Sequence, residues 1–153
     1  MSTLSQFVGG APTKSIVNHY SSGGVSTLIG LSSGGVTNAV DVLSGALTAA
    51  TLKTLLTVTG GGEVPLLFVR GVDATSRTVR VRVTVDGVVA FDATSSAMTL
   101  ANDGIIVMGQ YDSSSLINAS THSIKFNTSL VVDVASSLTE TNKVTLAYAL
   151  TTR

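Results

Sequence analysis

Cysteine is absent from the 153-residue chain, and so is tryptophan. The first absence removes disulfides, thiolate metal sites and a cysteine nucleophile together. The second leaves three Tyr and four Phe as the only aromatic platforms for sugar stacking. Charge is scarce as well: Asp, Glu, Lys and Arg make up 12% of the residues, about half the usual share. Nine acidic and nine basic residues cancel to a net charge of zero, so no field steers phosphates or anionic lipid, and nucleic-acid binding is disfavoured. The same neutrality removes colloidal repulsion between copies, which makes an obligate homo-oligomer the natural expectation. No apolar run approaches the roughly 18 residues of a membrane span, so no membrane partner is expected. The opening "MSTLSQFVGG" lacks the basic and apolar regions of a secretory signal.

What is present is a Val-rich interior beneath a small polar surface: 44% hydrophobic residues, with Ser and Thr about a quarter of the chain. The length suits one ordinary domain plus a tail. Residues 1–40 are Gly, Ser and Thr punctuated by single apolar residues, with "GGAP" and two "SSGG" breakers, and cannot bury enough of themselves to fold alone. Leu4, Phe7, Ile16, Val17, Tyr20, Leu28, Ile29 and Leu31 are too many apolar positions for a solvated linker. An extended assembly arm that orders on a neighbouring subunit is therefore preferred, with Phe7, Ile16 and Tyr20 as its candidate contacts.

Residues 41–153 form the domain. Val40 to Leu43 reads as a short strand, and Thr48 reads as the cap of a two-turn helix over "AATLKTLL", since Leu52, Leu55 and Leu56 share a helical face. Beyond Glu63 the period becomes two. Strands are expected over Val64 to Val72, Thr78 to Val85, Val88 to Ala93, Ala97 to Leu100, Gly104 to Gln110, Ser123 to Ala135 with a break near Thr128-Ser129, and Lys143 to Thr151. Short strands at this spacing imply a mainly β fold: an antiparallel, jelly-roll-like β-sandwich behind an extended N-terminal arm and one short helix.

The stretch "RVRVTVDGVVAFD" fixes its own pairing. A two-residue Asp86-Gly87 turn sets Asp92 among the valines and Phe91 among the arginines. A three-residue loop with Gly87 as a bulge pairs Val81 with Phe91 and Arg80 with Asp92 instead. The second is expected, because burying an unpaired carboxylate costs more than burying Phe91 returns.

Chemistry is thinly supplied. His19 and His122 match no metal-ligand spacing, and the aspartates keep the Gly, Ser and Asn company of turns. Glu63 and Glu140 also read as turn residues, the Gly-rich pieces lack the Lys of a phosphate loop, and no calcium spacing appears. No catalytic residue, metal or cofactor is expected. Arg77, Arg80 and Arg82 form the one charge cluster, read as a solvated strand face in preference to a binding stripe, with Lys125 able to join them in a modest polar patch. A carbohydrate-binding alternative places a host glycan on the loops Asp112 to Thr121 and Asp73 to Arg77, with Tyr111 its best aromatic.

The segments "MSTLSQFVGG", "LSGALTAATLKTLLTVTGGGEVPLLFVRGVDATSRTVRVRVTVDGVVAFDAT" and "SLTETNKVTLAYALTTR" resemble stretches of small virion-associated proteins of tailed bacteriophages. The resemblance implies a non-enzymatic virion structural protein, favours a trimer, and has the arm contact other virion proteins. It leaves open a tail-fibre or spike-type module and a head decoration protein, and it carries over no functional residue.

Overall fold

A computed structural model of the chain describes residues 15–22, 25–30, 40–109 and 122–152. These residues are mainly β, their sheets are antiparallel, and none is helical. In chain order the strands are β1 (Ser15–Ser22), β2 (Val25–Gly30), β3 (Val40–Leu43), β4 (Ala46–Leu47), β5 (Lys53–Thr59), β6 (Gly62–Gly71) and β7 (Val79–Val85). There follow β8 (Val88–Thr94), β9 (Gly104–Met108), β10 (Ile124–Phe126), β11 (Ser129–Ser136), β12 (Glu140–Thr141) and β13 (Val144–Thr152).

The larger sheet is centred on β6 and β13, which pair along most of their length. The other side of β13 is shared: β3 takes Thr145 to Tyr148, and β1 takes Leu150 to Thr152. The other side of β6 is shared between β10 and β9. The second sheet runs β5-β11-β7-β8, and a two-residue ribbon pairs β4 with β12.

Alternation in the sequence explains the packing. Val79, Val81 and Val83 of β7, with Leu130, Val132 and Val134 of β11, are fully buried on one face of the smaller sheet. They meet Val64, Leu67 and Val69 of β6 and Val144, Leu146, Tyr148 and Leu150 of β13 in one apolar core between the sheets. Each such Val or Leu contributes about 1.5–3 kcal/mol on burial, so the shared core is the main force holding the two layers together. The result is a sandwich-like, two-layer architecture.

The helix expected after Thr48 does not form. Those residues make a tight turn, Ala50 has φ +59°, and β5 then pairs with β11. The Leu52, Leu55 and Leu56 spacing suits a helix, but Thr54, Thr57 and Thr59 are β-branched and the inward set is Leu56 and Val58. A period of two with a partner strand outweighs a short helical face. Ala97 to Leu100 likewise is not a strand: only Met98 bridges, to Arg77.

The β7–β8 hairpin combines features of both expected pairings. Val85 pairs with Val88 across a two-residue turn, with φ +51° at Asp86 and +81° at Gly87. That is the turn rejected from sequence. The bulge lies further up, where Val83 faces Phe91 but Thr84 faces Val89. One extra residue in β8 returns Phe91 to the valine face and Asp92 to the arginine face. Arg82, not Arg80, is thus directly opposite Asp92.

Candidate polar interaction face

With its valines turned inward, the smaller sheet presents an alternate set of side chains outward. The ladder aligns Asp133 of β11 with Thr54 of β5 and with Arg82 of β7, which in turn faces Asp92 of β8. A polar row therefore crosses all four strands. The Thr54 hydroxyl donates to Asp133 Oδ1 at 2.5 Å. At the other end two guanidiniums share one carboxylate. Arg80 donates from Nε to Asp92 Oδ1 at 2.7 Å and from Nη2 to Oδ2 at 2.8 Å, while Arg82 Nε donates to Oδ2 at 2.9 Å. The Arg80 hydrogen bonds hold the Asp92 carboxyl at about 2, below its ordinary range, with Arg82 adding to them. The same contact raises Arg80.

Next to this row, Arg80 pairs with Ala135 on one side and Thr94 on the other. Here the face hollows into a cavity of about 170 Å3 walled by Thr78, Arg80 and Thr94 and by Ala135 to Ser137, with Ala50 at its rim. The walls are tied together. The Thr78 amide donates to Ser137 Oγ and the Ser137 amide to the Thr78 carbonyl, both at 2.9 Å. The Ala50 amide donates to the Ser136 carbonyl at 2.7 Å. The lining offers hydroxyls and one guanidinium, which is hydrogen-bonding chemistry.

Arg77 belongs elsewhere. It was expected on the solvated strand face with the other two arginines, but it is 2% exposed. It sits before β7, backbone-paired to Met98, and its guanidinium lies against Gly71 at the end of β6. Its Nη2 meets Asp73 Oδ1 at 2.5 Å and its Nε meets Glu140 Oε2 at 3.0 Å. Lys143 adds a second cation to Asp73 at 3.1 Å. These contacts, Arg77 first, drive the Asp73 carboxyl well below the usual carboxylate range. Glu140 is correspondingly no exposed turn residue: its side chain is 8% exposed, and it lies on β12. Lys125 does not extend the arginine row, because it lies in the other sheet, opposite Glu63.

The structure therefore brings Arg80 and Arg82 together and separates Arg77 from them. Ile16 and Tyr20 lie on β1 at register positions opposite Thr151 and Thr27. Phe7 and Tyr111 are outside the described residues, as is the whole loop Asp112 to Thr121 expected to bear a glycan; the loop Asp73 to Arg77 is tied into the ion cluster of Arg77. Sequence reasoning missed Asp133 and Thr54. The parity of "SLVVDVAS" carried the signal for Asp133, since its apolar residues must share the core with those of β7, but assigning it required knowing that β11 and β7 are neighbours. Among the described residues, no group of three or more His, Asp or Glu is placed to hold a metal ion, and no helix is long and apolar enough to cross a membrane.

Compared with known proteins, the chain matches no family model, no curated protein and no solved structure.

Proposed function

We propose that this chain is a non-enzymatic structural protein of a tailed-phage virion, a tail- or baseplate-attached fibre or spike-type module. It assembles as a symmetric oligomer, a trimer in the first instance, through its N-terminal arm. A jelly-roll-like sandwich forms its body.

The observation that carries this reading is how the N-terminal hairpin meets the rest of the fold. β1 and β2 pair with each other along Val17 to Ser22 and Val25 to Gly30. Only Ser15, Ile16 and Val17 join the hairpin to β13, beside Leu150 to Thr152. The hydrogen-bonded part of the joint is this short ladder, β1 also running close to β3, and such a ladder forms equally well with the strand of another copy. Exchanging the hairpin between subunits would turn an intrachain joint into an assembly joint at little cost, because the contacts are the same ones. The zero net charge, which leaves neighbouring copies without mutual repulsion, and the resemblance of the chain to small phage virion proteins support the same class.

The experiment is to delete residues 1–39 and ask whether the remaining domain still enters particles of a phage that encodes it. Loss of incorporation with retained β structure is expected. Full incorporation without the segment would overturn the arm mechanism.

A further inference from the structure

We propose that the cavity on the outer face of the smaller sheet binds a neutral saccharide ring, a single polyhydroxylated unit. This goes beyond the assembly reading and does not depend on it.

Size comes first. At about 170 Å3 the cavity lies below the roughly 300–1,000 Å3 of sites for drug-sized ligands, so it suits one small ring.

Hydrogen-bonding character comes second. The side chains of Thr78, Thr94 and Ser137 line the cavity together with Arg80. The Thr78 and Thr94 hydroxyls are not spent on other described residues. A hydroxyl both donates and accepts, as sugar hydroxyls do, so the two sets can satisfy each other whichever way each proton points.

Charge is the third point, and it decides between a sugar and an anion. Arg80 has committed Nε and one Nη2 proton to Asp92, which leaves Nη1 and the second Nη2 proton as donors and largely cancels its charge. One row further on, Asp133 and Asp92 flank Arg82. Two cations against two carboxylates give this part of the face no surplus for an anion. Ala50 and Ala135 supply small apolar patches for the C–H side of a ring. With no aromatic in the lining, binding to a single ring is weak, with Kd on the order of 1 mM.

The cavity is also preformed. The paired Thr78 and Ser137 hydrogen bonds and the Ala50 to Ser136 bond fix three of its walls, so little ordering opposes binding.

The test uses the full chain labelled for amide NMR. Glucose, galactose, mannose and N-acetylglucosamine are titrated, with glucuronate and sulfate as charged arms. At least one neutral sugar is expected to shift the amides of Thr78, Thr94 and Ser137. Thr78→Val and Thr94→Val, which keep a β-branched shape, should each weaken that binding about threefold to tenfold. Arg82→Gln perturbs the Asp92 clamp without touching the lining and should leave binding within about twofold. The proposal is overturned if no neutral monosaccharide shifts those amides, if glucuronate or sulfate is preferred there, or if both valine variants bind like the parent chain.

Discussion

The carboxylate of Asp86 accepts two hydrogen bonds from Thr128: from its amide at 2.7 Å and from its hydroxyl at 3.0 Å. The amides of Asn127 and Ser129 donate to the same side chain, and the Asp86 amide donates to the Ser129 carbonyl at 2.9 Å. The tip of the β7–β8 hairpin thus caps the turn between β10 and β11. Asp86→Ala should lower the melting temperature by several degrees, since it strands these donors and sets an alanine at φ +51°. Asp86→Asn, which tolerates that backbone and keeps one acceptor oxygen, should cost less. Thermal unfolding followed by circular dichroism gives the comparison, and equal melting of all three chains would contradict the role.

Acid should destabilise the domain in a defined window. Asp86 is held at about 2 chiefly by the Thr128 amide, Asp92 at about 2 chiefly by Arg80, and Asp73 lower still chiefly by Arg77, against an ordinary 3.8 for each. The folded state therefore takes up protons later than the unfolded chain. Stability from these carboxylates is complete above about pH 4 and is lost as pH falls toward about 2. All three are open to solvent, so salt should blunt the effect. Urea midpoints measured from about pH 6 down to about pH 2 should fall through that window, and Asp92→Asn should flatten the fall.

Removing the buried guanidinium of Arg77 should be costly. Arg77→Ala leaves the largely buried Glu140 carboxylate with its partner gone, a loss of about 3–5 kcal/mol. Replacing both members, Arg77→Met with Glu140→Leu, should recover much of it, because Asp73 keeps Lys143 at 3.1 Å. Denaturant unfolding of the single and double variants decides this; a double variant no more stable than Arg77→Ala would contradict the ion-pair explanation.

Two glycines should respond differently to alanine. Gly87 has φ +81° with open space around the missing Cβ, so Gly87→Ala carries the conformational penalty alone, about 1 kcal/mol. At Gly104 a Cβ would run into the Val69 carbonyl and the Arg70 backbone, which pair β9 with β6. Gly104→Ala should therefore cost several times more, through displacement of β9. Equal unfolding midpoints for the two variants would contradict the crowding at Gly104.

The alternation of β7 and β13 was readable because a period of two is encoded in side chains alone: valines at 79, 81 and 83 can share a face in only one way. The hairpin shows where such reading stops. The need to separate Phe91 from Asp92 forced a bulge, but two bulge positions meet that need equally, and only the pairing chosen by the whole sheet distinguishes them. The false helix at Leu52 to Leu56 had the same origin, since its strand character depends on β11, some eighty residues away. Arg77 was misplaced because its buried partner Glu140 lies on β12, 63 residues further along the chain, and no sequence spacing connects the two. The cavity by Arg80 was invisible for a similar reason, as its walls come from four stretches of chain and no motif.

The most direct test of the assembly proposal is the mass in solution, measured by light scattering on the full chain and on the chain lacking residues 1–39. The full chain is expected as a closed oligomer, a trimer in the first instance, and the shortened one as a folded monomer. A full chain that stays monomeric, or a shortened chain that keeps the same oligomer, would contradict assembly through the N-terminal arm.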